Sequence, residues 1–127
     1  MSGDHKAGIA IVEDEVDLAN IYTIIFEKRN IPIVFIAHDG MSAVSLFNKC
    51  VQKPDIIIMD HRLPIMTGID ATKEIIKSCP STKIIFVSAD EEIRDEALRS
   101  GAVKFIKKPA SIKILNEAVD DILMNIK

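Results

Sequence analysis

The chain has 127 residues, 48% of them hydrophobic, and a formal net charge of −3, a balance that suits one hydrophobic core in one domain. It argues against direct nucleic-acid binding and against a disordered acidic chain. No stretch reaches the ~18–20 unbroken apolar residues of a membrane span, and the polar start Met1-Ser2-Gly3-Asp4-His5-Lys6 lacks the apolar segment of a secretion signal, so a cytoplasmic location is expected.

The first apolar run, Ile9-Ala10-Ile11-Val12, reads as a strand, and a helix is predicted from Glu15 to Lys28. Pro32 precedes a second strand over Ile33 to Ala37, and a helix follows from Met41 to Lys49. Pro54 opens the third strand, Ile56-Ile57-Ile58-Met59, which ends at Asp60 and the loop His61-Arg62-Leu63-Pro64-Ile65-Met66-Thr67-Gly68. Gly68 to Ser78 is the third helix, Pro80 precedes the fourth strand, Lys83 to Val87, and Glu91 to Ser100 is the fourth helix. Gly101 stops it after a cationic last turn. The fifth strand is Val103 to Ile106, and a last helix runs from Ile112 to the end. In that helix Ile112, Leu115, Val119, Ile122, Leu123 and Ile126 share one face.

Strands that are apolar at nearly every position need a sheet covered on both faces. The (βα)5 order therefore predicts a doubly wound α/β fold, a five-stranded parallel sheet with right-handed crossovers and helices on both faces. Cys50 and Cys79 are far apart and not in a Cys-x-x-Cys arrangement, so they read as reduced structural thiols.

Such a sheet puts every loop that follows a strand on one edge, where open α/β sheets keep their ligand sites. Those loops carry Glu13-Asp14-Glu15, Asp60, Ser88-Ala89-Asp90 and Lys107-Lys108-Pro109 after strands one, three, four and five. A carboxylate such as Asp60 can act as a covalent nucleophile toward a phosphoryl group. Clustered carboxylates repel one another unless a cation sits among them. Ligation by carboxylates, a backbone carbonyl and water is the pattern of Mg2+, not of a metal that prefers thiolate or imidazole. Phosphoryl transfer also needs its equatorial oxygens neutralised by a metal, a lysine and a hydroxyl donor. Asp14, Lys108 and Ser88 are residues of those types.

Taken in order, the acidic pair Glu13-Asp14, the stretch Asp60 to Gly68, the hydroxyl of Phe86-Val87-Ser88-Ala89 and Lys108-Pro109 resemble the receiver domain of two-component response regulators, a family that includes the small chemotaxis regulators. The resemblance runs from Ile9 to the terminal helix, and implies the flavodoxin-like strand order 2-1-3-4-5 and a single receiver domain over residues 7–127 with a frayed N-terminus at 1–6. It implies that Asp60 accepts a phosphoryl group from a sensor histidine kinase or phosphotransfer protein. Asp14 and Asp60 would ligate Mg2+ directly, the backbone carbonyl of Arg62 would complete the protein's share, and Glu13 would act through water. Ser88 and Lys108 would hold phosphoryl oxygens, with a cis Lys108-Pro109 bond. Phe105 matches the switch aromatic, without the hydroxyl that many members carry there as Tyr. The chain would then be a switch, not an enzyme, that assists its own phosphorylation and dephosphorylation. Its partner surface would be the fourth helix, fifth strand and fifth helix, which an output protein or a second copy would occupy.

Arg62 and Asp90 flank the expected site and carry opposite charges. They are expected to pair over its mouth and slow the attacking water, although an exposed pair contributes only ~0–1 kcal/mol. His5, His38 and His61 are not read as ligands. A haloacid-dehalogenase-like phosphatase would use the same cast, but with its nucleophile in an Asp-x-Asp sequence after the first strand. A flavodoxin-like FMN carrier would need a phosphate-cradling first loop, and Glu13-Asp14-Glu15 would repel that phosphate. A receiver-shaped binding module that is never phosphorylated is the remaining alternative.

Overall fold

The computed structural model describes residues 7–125; the expected frayed segment 1–6 with His5, and Ile126 of the last helix, lie outside the described residues. Five strands alternate with helices: Ile9–Val12 (β1), Val16–Glu27 (α1), Ile33–Ala37 (β2), Gly40–Lys49 (α2), Ile56–Met59 (β3), Gly68–Ser78 (α3), Lys83–Ser88 (β4), Arg94–Ser100 (α4), Lys104–Lys107 (β5) and Ile112–Leu123 (α5). All pairings are parallel and the sheet order is β2-β1-β3-β4-β5, as the sequence predicts. No helix among the described residues is long and apolar enough to cross a membrane.

Successive side chains of a strand point to opposite faces, and each face here has its own core. Ile9, Ile11, Ile56, Ile58 and Ile85 pack with Phe26 of α1 and Leu115 and Val119 of α5. Ala10, Val12, Ile57, Met59 and Phe86 pack with Phe47 of α2, Ile75 of α3 and Ala97 of α4. Every residue of β1 and β3 is buried, at ~1.5–3 kcal/mol for each large side chain taken from water. The register is therefore strongly specified, because a one-residue slip would exchange the two faces.

Local chemistry sets most helix starts. Asp39 accepts the amide of Ser42 at 2.7 Å, Thr67 that of Asp70 at 3.2 Å and Ser111 that of Ile114 at 3.1 Å, each a cap worth ~0.5–2 kcal/mol. Gly101 ends α4 at φ 124°, a conformation that favours glycine. Arg29 joins the end of α1 to α5 through Asn116 at 2.8 Å and through Asp120. Cys50 and Cys79 are free, half-buried thiols.

One predicted helix is divided. Glu91–Ile93 form a 3-10 turn before α4, although the sequence reads as helical from Glu91. Asp90 stands at the N-cap of this turn and makes no capping bond, since its carboxylate is held by Arg62 instead. The last helix also stops at Leu123.

The loop from Asp60 to α3 is folded tightly against the sheet edge. Leu63 N and Gly68 N donate to the His61 carbonyl at 2.9 and 3.0 Å, and Ile65 takes a left-handed φ of 73°. A Cβ placed on Gly68 would lie 2.0 Å from the Asp60 carbonyl oxygen and 2.9 Å from His61 Cα, so only glycine allows this approach without backbone movement. Gly68→Ala is expected to cost about 1–3 kcal/mol, the usual range for overpacking. Urea unfolding checks this, and a midpoint equal to that of the parent would contradict the close packing.

Candidate functional site

Backbone hydrogen bonds carry the sheet past its strand ends and hold the loops in place. Asp60 N donates to Val12 O at 3.0 Å, Glu13 N to Ala37 O at 3.0 Å, and Lys108 N to Ser88 O at 2.9 Å. Asp60 is thereby anchored to the end of β1, and Lys108 to the end of β4. The Lys108-Pro109 bond is cis, as expected. A cleft of about 290 Å3 opens between these loops, lined by Asp14, Glu15, Asp60, Arg62, Ser88, Ala89 and Lys108.

At its floor the Lys108 ammonium bridges two carboxylates, Glu13 Oε1 at 2.9 Å and Asp60 Oδ2 at 3.1 Å. The other Asp60 oxygen accepts the His61 amide at 2.7 Å. Glu13 and Asp60 are buried, whereas Asp14 is exposed at the lip. One carboxylate oxygen from each of Glu13, Asp14 and Asp60 lies within 4.8 Å of the others. An all-oxygen donor set of this density suits a hard divalent cation.

Burial pushes the Glu13 carboxyl up to about 7, against the pull of the Lys108 hydrogen bond and with the help of the Asp60 charge. Burial also acts on Lys108, in the direction that lowers an ammonium pKa, but its contacts with Glu13 and Asp60 outweigh it, and the net shift is upward. Lys108 stays charged because two carboxylates surround it.

Arg62 and Asp90 meet at the rim in a two-point ion pair. Arg62 Nε donates to Asp90 Oδ2 at 2.6 Å, and a second guanidinium nitrogen donates to Oδ1. This contact holds the Asp90 carboxyl below the usual carboxylate range and raises the guanidinium pKa. The Arg62 side chain is 73% exposed and that of Asp90 11%. Ser88 is buried, and its hydroxyl accepts the Asp90 amide at 3.1 Å. Phe105 lies away from the cleft lining, half-buried on β5, with the Arg94 guanidinium 5.7 Å from its ring centre.

Two histidines stand beside the site. His61 is half-buried, its ring 6.5 Å from that of Phe86. His38 Nδ1 bonds the Glu13 carbonyl at 2.8 Å, so it braces the acidic loop from β2. The adjacency of strand ends β1 and β2 creates that contact, and no motif in the sequence marks it.

A family profile described as the response regulator receiver domain matches residues 9–120. The chain belongs to that family. Its receiver is 37% identical over 111 residues to the protein-glutamate methylesterase/protein-glutamine glutaminase of Thermotoga maritima, covering 84% of this chain and 31% of that protein. The chain thus spans about a third of the length of that methylesterase, and matches only its receiver part. It is 35% identical over 116 residues to the chemotaxis protein CheY of Thermotoga maritima, covering 90% of this chain and 95% of CheY. The solved CheX-CheY-BeF3-Mg complex from Borrelia burgdorferi superimposes with a TM-score of 0.86 at 28% identity, over 92% of this chain and 89% of the matched one. The fold is the receiver fold, and this is a receiver domain of two-component signalling.

The raised Glu13 pKa fixes the sign of a pH effect. A carboxyl whose folded pKa of about 7 exceeds its ordinary 4.5 contributes stability that is complete below about 4.5 and is lost as pH rises through about 7. Without added metal, the parent should lose stability relative to Glu13→Gln across that window, with the gap level above it. Urea unfolding of both proteins in chelator across this pH range measures the gap, and a gap independent of pH would remove the effect.

Proposed function

We propose that Asp60 is the phosphoacceptor of a signalling switch, charged by the phosphohistidine of a sensor kinase or phosphotransfer protein. An Asp60 carboxylate oxygen attacks phosphorus, an O–P bond forms, and the P–N bond to the donor imidazole breaks. The leaving ring nitrogen takes up a proton. Dephosphorylation reverses the gain when water attacks the same phosphorus and releases inorganic phosphate.

The observation that carries this reading is the Lys108 ammonium 3.1 Å from Asp60 Oδ2, in a cleft that Asp14 and Ser88 also line. An acceptor oxygen, a fixed cation, a hydroxyl and a second acid are grouped as phosphoryl transfer requires. Asp14, Asp60 and the Arg62 carbonyl would hold Mg2+, with Glu13 acting through water. Bound there, Mg2+ would neutralise charge on the phosphoryl oxygens. Lys108 and Ser88 supply the remaining contacts, Lys108 by turning from the Asp60 carboxylate to the phosphoryl oxygens. The Borrelia CheY complex is named with Mg2+ and BeF3, which supports a site here for a metal ion beside a phosphoryl group.

Phosphorylation adds about −1.5 to −2 charge at neutral pH and shifts a pre-existing equilibrium in the loops and partner surface. Phe105 acts as the switch aromatic between them. Its flank carries a groove of about 400 Å3 between α4, β5 and α5, lined by Arg94, Lys104, Phe105, Ile114 and Asp121 among others. That face is where an output protein, or a second copy, would bind. The chain assists its own phosphorylation and hydrolysis, works without direct nucleic-acid contact, and acts in the cytoplasm.

Acetyl phosphate with and without Mg2+ tests the acceptor. Intact-mass analysis should show one phosphoryl adduct that needs Mg2+ and vanishes in Asp60→Asn, whereas an adduct that survives in that variant would refute the assignment. No adduct in the parent would favour the unphosphorylated binding module. Lys108→Ala removes a cation beside the acids, so titration calorimetry should show Mg2+ binding roughly threefold or more tighter, together with loss of the phosphoryl contact. Weaker Mg2+ binding would contradict the charge competition.

A further inference from the structure

The Asp90 carbonyl accepts the Ile93 amide at 3.2 Å, but its carboxylate and its amide are both engaged away from the helical segment it precedes. Its carboxylate is held at two points by Arg62, on the loop after Asp60, while its amide donates to the Ser88 hydroxyl at 3.1 Å. An acid at the start of a helical segment ordinarily accepts the amides of that segment, at a gain of ~0.5–2 kcal/mol. The Asp90 carboxylate makes no such bond. The ion pair thus holds the loop after β4 against the loop after β3, with the hydroxyl of Ser88 turned back onto the amide of its own loop.

Asp90 is 8% exposed and Ser88 1%, so the amide has little access to water if the hydroxyl leaves it. A buried donor without a partner is costly. The Ser88 hydroxyl accepts this amide and keeps its own O–H free to donate, so Ser88 can move toward a phosphoryl oxygen and keep the bond only if the Asp90 amide moves with it, which requires the loop to move. Arg62 opposes that movement.

We infer that Arg62 and Asp90 are positioning residues, a clasp between the two loops that holds Ser88 back from the phosphoryl group on Asp60 and sets how readily the switch turns on. The inference deepens the proposed function and rests on its assignment of Asp60 and Ser88. It differs from a pair that merely shields the site from water: a shield alters only the loss of phosphate, whereas a clasp alters the affinity of the site for a phosphoryl mimic. The guanidinium is largely exposed, so the effect is bounded by the small worth of such pairs, about fivefold at most.

The test is titration of the protein with beryllofluoride in saturating Mg2+, followed by amide NMR, for the parent, Arg62→Ala, Asp90→Ala, the double variant and Arg62→Lys. Arg62→Ala and Asp90→Ala should each bind beryllofluoride roughly two- to fivefold more tightly, the double variant no more tightly than either, and Arg62→Lys, which keeps the charge but loses the two-point contact, between the parent and Arg62→Ala. In the metal-free protein the Asp90 amide should exchange with solvent faster in Arg62→Ala than in the parent. Unchanged or weaker beryllofluoride binding in both single variants, additive effects in the double, or unaltered amide exchange would overturn the clasp. Faster dephosphorylation with unchanged affinity would leave only a shield, and also overturns it. Asp60→Asn serves as the control. A parent protein that fails to bind beryllofluoride would instead sink the acceptor assignment, and the clasp's role with it, whereas a parent that binds alongside unresponsive variants sinks the clasp alone.

Discussion

The ammonium of Lys108 between Glu13 and Asp60 is the contact on which the site depends. Two buried carboxylates so close would otherwise repel and desolvate one another, and one would take up a proton. Lys108 keeps the pair tolerable at neutral pH and leaves Glu13 with a raised pKa, a measure of repulsion and burial not fully relieved. The pocket is thus poised for further positive charge, and for an anion that can share Lys108. A phosphoryl group with its metal meets both needs.

The scaffold brings three distant stretches of chain into that contact. Glu13 follows β1, Asp60 follows β3 and Lys108 follows β5, all within the run β1-β3-β4-β5 of the sheet although the three residues are far apart in sequence. The bonds from Asp60 N to Val12 O and from Lys108 N to Ser88 O extend the ladders into the loops. Strands buried on both faces thus hold the loops that carry these groups.

The rim shows a competition among polar partners. The Asp90 carboxylate serves Arg62 instead of capping the segment that follows it, and a 3-10 turn stands where an uninterrupted helix would otherwise begin. Arg94, at the start of α4, lies over Phe105. The segment from Ser88 to Arg94 therefore touches the chemical site at one end and the candidate partner face at the other. A contiguous link of this kind is what coupling between the two would need.

The amino-acid order alone determined the architecture, because strands buried on both faces need apolar residues at nearly every position and the helices between them need a striped pattern. It also marked Asp14, Asp60, Ser88 and Lys108 as site residues, since chemistry in an open parallel sheet collects after the strand ends. Other features depended on contacts between loops remote in sequence. The bridge from Lys108 to both acids, the brace from His38, the half-burial of His61 and the left-handed turn at Ile65 have no local signature. Opposite charges at Arg62 and Asp90 suggested a pair, but only tertiary packing decided that the Asp90 carboxylate would give up its helix cap for Arg62. Local propensity ranks the partners available within a few residues, and the folded chain supplied a stronger one from another loop.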